Sequence, residues 1–188
     1  VRVIPSPWGN KVEVYGEKSH FAFRTLAEVK VRGELKGRFG FVQGEEILRQ
    51  IVLNSNLEII WEGTCKTGHY PYAYDIDNDG RDELAIGYSL YDDDGKLLWT
   101  LYKTIGDHSD GVAGVKYNDN NDAQPVIMYS ASNAGYLRVD KDGNILKHIL
   151  NGHVQNPAIA DFRADMPGLE TVTIDFWGSQ GIIHFYDL

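Results

Sequence analysis

Tyr91-Asp92-Asp93-Asp94-Gly95-Lys96-Leu97-Leu98-Trp99 is the stretch on which the fold turns. An apolar strand end runs into a polar turn and a short apolar strand follows, a plan shared with Leu53-Asn54-Ser55-Asn56-Leu57-Glu58-Ile59-Ile60-Trp61 and Val139-Asp140-Lys141-Asp142-Gly143-Asn144-Ile145-Leu146-Lys147. Asp94-Gly95 and Asp142-Gly143 supply a residue that tolerates φ > 0. Glu58 and Lys96 are 38 residues apart, and Lys96 and Asn144 are 48 apart. A second landmark precedes each module's first strand: Gly68-His69, Asp107-His108 and Gly152-His153. Short strands are expected after these, at 70–74, 112–117 and 157–160. After a polar loop, second strands are expected at 84–88, 125–129 and 171–176. Runs of this length with turn residues between them read as sheet, and no segment carries a 3.6-residue apolar period. Residues 37–62 give another strand group and residues 11–32 a less regular one.

About four strands in every 40–48 residues is the signature of a β-propeller blade. The expected fold class is therefore all-β, with propeller blades of four-stranded antiparallel sheets. Residues 1–188 make one domain or partial propeller of about four such units. The last unit stops at Tyr186-Asp187-Leu188, the turn before its outermost strand. Either residues 1–4 complete that unit and close a small ring, or the units are part of a larger propeller. The second reading is preferred, because an open arc leaves strand edges that a full ring would remove.

The 188 residues are 43% apolar and 24% charged, as in a folded soluble domain. The net charge of −9 argues against nucleic acid and anionic membranes as partners. It also opposes an acidic polysaccharide, unless bound cations invert the local field. The single cysteine, Cys65, cannot form an internal disulfide. No apolar run approaches the ~18 residues of a membrane span. The opening Val-Arg-Val-Ile-Pro is not a signal peptide and lacks an initiator Met, so the chain reads as a mature form or an excerpt.

The sharpest chemical signal is Asp75-Ile76-Asp77-Asn78-Asp79-Gly80-Arg81-Asp82-Glu83. Asp75, Asp77 and Asp79 at positions 1, 3 and 5, with Gly80 at 6, let one tight loop wrap a hard cation in oxygens. Arg81 at position 7 offers its backbone carbonyl and Glu83 at position 9 its side chain. The position-12 Glu of a helix-flanked EF-hand is replaced by Ile86, so the site is a strand–loop–strand version, and calcium is the expected ion. The hairpin acids Asp92–Asp94 and Asp140–Asp142 lack the position-9 acid and read as turns. Asp119-Asn120-Asn121-Asp122 stands where the metal loop would recur, with weaker ligands. Asp161-Phe162-Arg163-Ala164-Asp165 keeps the outer acids around Arg163, whose guanidinium either replaces a cation or meets an anionic ligand.

Taken in order, the metal loop, the Asp-Asp-Asp-Gly-Lys-Leu-Leu-Trp hairpin, Asp107-His108-Ser109-Asp110-Gly111, and Gly152-His153-Val154-Gln155 followed by Phe162 to Pro167-Gly168-Leu169-Glu170 resemble the calcium-rich propeller of family 11 rhamnogalacturonan lyases. The resemblance covers about residues 68–188. It implies an eight-bladed propeller, bound calcium, and cleavage of an acidic plant cell-wall polysaccharide by β-elimination at galacturonate. It also implies an extracellular or cell-envelope location and a monomer. Such chemistry needs a neutralised uronate carboxylate and a base. On this reading His108, His153 and Arg163 are the candidate catalytic residues: the histidines as bases, since His69, His108 and His153 hold equivalent positions that converge near one end of a propeller axis, and Arg163 as a positive group for the uronate carboxylate. His69, Asn133, Gly135, Tyr136 and Trp177 are candidates for holding the sugar. Trp61 and Trp99 share a hairpin position and read as packing between units, and Tyr70, Tyr72 and Tyr74 as a structural face. A calcium-stabilised binding module without catalysis is the runner-up, and a purely structural array the third reading.

Overall fold

The computed structural model describes residues 2–4, 11–13, 28–31, 35–41, 48–53, 58–66, 68–116, 124–175 and 177–188; up to residue 49 it describes the strand backbone alone. These residues form seventeen strands and no helix. β1 (Arg2–Ile4) pairs with β2 (Lys11–Glu13). Four sheets follow in chain order, each an antiparallel meander. The first holds β3 (Glu28–Val31), β4 (Leu35–Phe41), β5 (Leu48–Leu53) and β6 (Ile59–Cys65). The second holds β7 (Tyr72–Tyr74), β8 (Glu83–Ile86), β9 (Ser89–Tyr91) and β10 (Leu97–Thr100). The third holds β11 (Gly111–Lys116), β12 (Pro125–Ser130), β13 (Tyr136–Asp140) and β14 (Ile145–Ile149). The fourth has three strands, β15 (Val154–Ala160), β16 (Glu170–Asp175) and β17 (Ile182–Asp187).

The predicted all-β antiparallel architecture is present, and among the described residues the sheets close no ring. Of the two readings of residues 1–4, the less favoured is not met. The N-terminal strand does not complete the last sheet, because its hydrogen bonds go to β2, with Val3 opposite Val12. Among the described residues no helix is long and apolar enough to cross a membrane.

The first strands of successive sheets lie side by side, β3 by β7, β7 by β11 and β11 by β15. Alternation along a strand sends consecutive side chains to opposite faces, and here both faces are covered. Leu84 and Ile86 on β8 join Val52, Trp61 and Ile60 of the first sheet, whereas Ala85 between them joins the cluster shared with the third sheet. On β12, Ile127 and Tyr129 face the second sheet with Val112, Tyr88 and Leu90, while Met128 faces the fourth with Ala113, Tyr136 and Ile159. Two-sided burial is why these strands read as unbroken apolar runs.

The hairpin Trp residues clamp neighbouring sheets, as expected. Trp61 donates its Nε1–H to the Asp93 carbonyl (3.1 Å), and its ring lies over Gly95. Trp99 donates to the Lys141 carbonyl (2.8 Å) over Gly143. In the third hairpin Lys147 occupies the Trp position.

Gly111 at the head of β11 seats the Pro157 ring, and a Cβ there would come within 2.4 Å of Pro157 Cδ. Gly111→Ala is therefore expected to cost about 1–3 kcal/mol by overpacking. Gly106→Ala, with nothing within 4 Å of the new carbon, serves as the control. Denaturant midpoints of the two variants measure the difference. Equal midpoints would disprove the tight seat.

Candidate functional site

The segment before each first strand brings one histidine to a common point. At Gly68 the backbone has φ of 63°, and a Cβ would lie 2.3 Å from the Ser109 carbonyl oxygen, so only glycine lets the chain approach this closely. His69 N–H then donates to that same oxygen (2.9 Å), which lays His69 against the start of the third sheet. Asp110, just before β11, donates its N–H to Ser130 O (2.8 Å), and its side chain is only 4% exposed. Three imidazole Nε2 atoms meet its carboxylate: His69 at 3.2 Å and His108 at 3.2 Å on Oδ1, and His153 at 3.0 Å on Oδ2. The expected convergence of the three histidines is thus present, around a carboxylate that the sequence reading did not assign to the site.

A layer of hydrogen bonds orients the rings from behind. Asp107 Oδ1 lies 2.8 Å from His108 Nδ1 and accepts the His108 backbone N–H at 2.8 Å. Its Oδ2 accepts the backbone and side-chain N–H groups of Asn133 at 3.1 and 2.8 Å. Burial alone would raise the Asp107 carboxyl, but these bonds outweigh it and hold the pKa at about 2. Asn133 Oδ1 in turn lies 3.2 Å from His153 Nδ1.

The rings form a row. Centroids step from Tyr70 to His69 (6.5 Å), His69 to His108 (5.0 Å), His108 to His153 (6.4 Å) and His153 to Trp177 (5.9 Å). Tyr70 and Trp177 at its ends are 49% and 62% exposed. Tyr70 thus departs from the expected structural face, which Tyr72 and Tyr74 do form. Tyr72 donates its hydroxyl to Gly114 O (3.0 Å), and the Tyr74 hydroxyl accepts from Lys116 N (3.2 Å).

Two expected sugar contacts are corrected. Tyr136 is fully buried, stacked on Tyr186 at 4.0 Å with its hydroxyl 3.1 Å from Thr171 Oγ1. Gly135, at φ 81°, is buried in the turn, and a Cβ there would lie 2.0 Å from Ile149 O. Both hold the hairpin together. Arg163 is corrected as a catalytic partner of the histidines. It follows β15, whereas His153 precedes it, so the length of a strand separates them. Its Nε donates to Asp165 Oδ1 at 3.0 Å.

The acidic loop follows β7 and so lies at the opposite end of that strand from His69. The six residues from His69 to Asp75 span about 20 Å if extended. One oxygen each of Asp75, Asp77 and Glu83 lies within 4.8 Å of the others. Asp75 Oδ2 accepts Gly80 N–H (3.1 Å), Asp77 Oδ1 accepts Asp79 N–H (3.0 Å) and Glu83 Oε2 accepts Ile76 N–H (2.6 Å). Asn78 at φ 68° and Gly80 at φ 87° curl the loop around them. Asp75 Oδ1 is buried with no hydrogen-bond partner. Burial, reinforced by the charges of Asp77 and Asp75, raises the Glu83 pKa to about 7.

An orphaned buried oxygen and a carboxylate that resists ionising fit a hard cation. Asp79 stands outside this trio: its carboxylate accepts from the Arg81 guanidinium (Nε, 2.7 Å). Arg81 also reaches buried Asp93 at 3.3 Å. The loop 161–169 is a variant of this plan. Glu170, which opens β16 as Glu83 opens β8, accepts the N–H groups of Phe162 (2.8 Å) and Arg163 (3.1 Å). Asp140 is a turn residue, accepting from Asp142 N, Asn144 N and Asn144 Nδ2 at 2.8–2.9 Å. The loop 119–122 lies outside the described residues.

A second set, His69, His108 and Asp110, also offers ligand atoms within 4.8 Å of one another. Two imidazoles and a carboxylate suit a divalent ion that accepts nitrogen.

The described residues thus define an all-β array of antiparallel sheets with a histidine–carboxylate cluster at one end of its first strands. No protein-family model and no curated protein matches the chain. Among solved structures, the exotype rhamnogalacturonan lyase YesX is similar over 86% of this chain and 29% of its own, at TM-score 0.70 and 18% identity. The Bacillus licheniformis rhamnogalacturonan lyase PL11 is similar over 79% of this chain and 28% of its own, at TM-score 0.65 and 20% identity. The V. cholerae biofilm matrix protein Bap1 is similar over 82% of this chain and 25% of its own, at TM-score 0.57 and 16% identity. These likenesses show a shared fold. The chain spans less than a third of the length of each of these structures.

Proposed function

We propose that this chain is part of a β-propeller polysaccharide lyase that cleaves a galacturonate-containing pectic polymer by β-elimination. The observation that carries this reading is the meeting of His69, His108 and His153 on Asp110, within a fold shared with rhamnogalacturonan lyases. In such a step a base takes the proton α to the uronate carboxylate. The C–H pair forms the new carbon–carbon double bond, the glycosidic C–O bond breaks, and a proton goes to the leaving oxygen. His108 Nε2 is the candidate base, since its side chain is 47% exposed against 18% for His153. Its opposite nitrogen is oriented by Asp107.

Were a cation to occupy the set of His69, His108 and Asp110, it would take the His108 Nε2 lone pair and supply positive charge beside the substrate carboxylate, offsetting the −9 net charge, and the base would then be His153. Calcium in the loop of Asp75, Asp77 and Glu83 would supply stability, since that loop is a strand's length from the histidines. Asp79 would join only by releasing Arg81. Trp177 and Tyr70 would stack on sugar rings at the ends of the row. An extracellular or cell-envelope location and action as a monomer follow from the same reading.

Incubating the whole protein with rhamnogalacturonan and other uronate polymers, with calcium present, is expected to raise unsaturated-uronate absorbance. Silence on every such polymer would dismiss lyase activity. The likeness to the biofilm matrix protein Bap1 favours a second reading, a non-catalytic calcium-stabilised module that binds carbohydrate or protein. Retention on a glycan without turnover would select it.

A further inference from the structure

Among the described residues, three other than glycine have positive φ: Asn78, Ser132 and Asn156. Two of them belong to the sites already described. Asn78 curls the acidic loop, and Ser132 places its Oγ 3.2 Å from His153 Nδ1. Asn156, at φ 51°, lies inside β15, just past His153. Proline follows it, and a residue before proline is normally held to extended backbone of negative φ. The conformation is therefore unusual on two counts.

The neighbouring strands hold it there. Gln155 pairs with Ile174 and Ala158 with Val172, so β15 has two residues, Asn156 and Pro157, where β16 has one, Thr173. This is a bulge, one of the few places where a strand accepts proline, and bulges re-aim side chains beside sites. The Pro157 ring fills the space that Gly111 leaves open, with Cδ 2.4 Å from where a Cβ would stand. The Asn156 backbone N lies 3.8 Å from the same point. Gly111 directly follows Asp110, on which His69, His108 and His153 meet, so the bulge abuts the histidine cluster.

A bulge that served proline alone would be met with least strain by glycine at 156, since glycine takes positive φ freely. Asparagine is tolerated in this conformation where its short side chain bonds to nearby backbone. Among the described residues the Asn156 amide makes no such bond, and the residue is exposed. Two neighbouring amides are engaged within the protein: Asn133 with Asp107 and His153, and Gln155 with His153. We propose that Asn156 is a substrate-contacting residue, whose amide, presented by the strained bulge, exchanges hydrogen bonds with the hydroxyl groups of a sugar bound beside the histidine cluster. An amide offers two donor hydrogens and an acceptor oxygen and carries no charge. It therefore reads the hydroxyl pattern of the sugar rather than a uronate charge. That the sugar belongs to a uronate polymer rests on the lyase reading; the contact itself does not.

The test uses the whole protein with short rhamnogalacturonan oligosaccharides. Affinity is read by titration calorimetry, at a temperature where every variant is folded, and turnover by unsaturated-uronate absorbance. Asn156→Gly keeps the backbone conformation and removes only the amide. It should leave the melting temperature unchanged or raised, and weaken binding about 2–10-fold, the worth of one hydrogen bond. KM should rise by the same factor with kcat nearly unchanged, as for a contact made equally in the ground and transition states. Asn156→Asp keeps the shape but puts a charged oxygen in place of the NH2 group, so it should weaken binding at least as much. Unchanged affinity in both variants, even with a lower melting temperature, would overturn the proposal, as would a wild type that binds none of these oligosaccharides. Equal KM in cleavage by the wild type and Asn156→Gly would overturn the contact and leave the lyase reading standing. Binding without cleavage in the wild type, weakened in Asn156→Gly, would uphold the contact and remove the lyase reading alone.

Discussion

His108→Ala in the whole protein is expected to lower unsaturated-uronate release about 10²–10⁴-fold, the usual loss when a general base is removed. The ring projects from the segment just before β11, and its partners there are polar: Asp107 on one nitrogen and Asp110 on the other. His69 remains on Asp110 Oδ1, so losing one of the hydrogen bonds to that buried carboxylate should cost about 1–3 kcal/mol, and the rates are to be compared at a temperature where both proteins are folded. His153→Ala should also be slow, but for two reasons that can be told apart. It removes an imidazole and it frees the Asn133 amide, so the partly buried His153 should show a larger loss of stability than His108. A His108→Ala protein retaining a third or more of the wild-type rate would rule His108 out as the base, and His153 would inherit the role.

Chelation carries the second large effect. An ion bound only by the folded state stabilises it by RT ln(1 + [L]/Kd), about 2.7 kcal/mol when the free ion stands at a hundred times Kd. For a domain of this size that is roughly 5–10 °C of thermal midpoint. The expectation rests on the orphaned Asp75 Oδ1 and on Glu83, whose pKa is raised to about 7 by burial and by its acidic neighbours.

The pH dependence gives a separate signature. A carboxylate whose folded pKa is raised costs stability where it must ionise. The cost is absent below the unfolded value near 4.5 and complete above about 7. The chelated protein should therefore become more stable as pH falls from 7 toward 4.5, until other carboxylates begin to titrate. Saturating calcium should flatten that trend. Glu83→Gln should remove both the calcium response and the pH trend. Midpoints that are equal with chelator and with calcium across this range would refute the metal loop.

Local chemistry made the sheet array legible, and tertiary convergence hid part of the site. The hairpins were readable because Asp-Gly turns and alternating strands act over a few residues, and Trp61 and Trp99 followed from their shared place in the repeat. The pairing of β1 with β2 was not readable, because a three-residue strand carries too little pattern to name its partner. Tyr136 looked like part of a sugar-binding turn because Asn133, Ala134 and Gly135 precede it. It is in fact the first residue of a strand whose inner face meets the fourth sheet. Asp110 was overlooked because three histidines distant in sequence define its role. The available hint was an acid placed directly before the apolar run Gly111 to Val115, where burial without partners would be costly. Glu170 carried a similar hint, opening its strand as Glu83 does.

The strand's length between the acidic loop and the histidines lets each rim change on its own. Engineering that tightens ion retention, shortens the loop or replaces it outright would alter shelf life and heat tolerance without reshaping the chemistry at the far rim. On the proposed reading, the usual conflict between robustness and turnover would be relaxed, because the two properties would depend on residues that never touch.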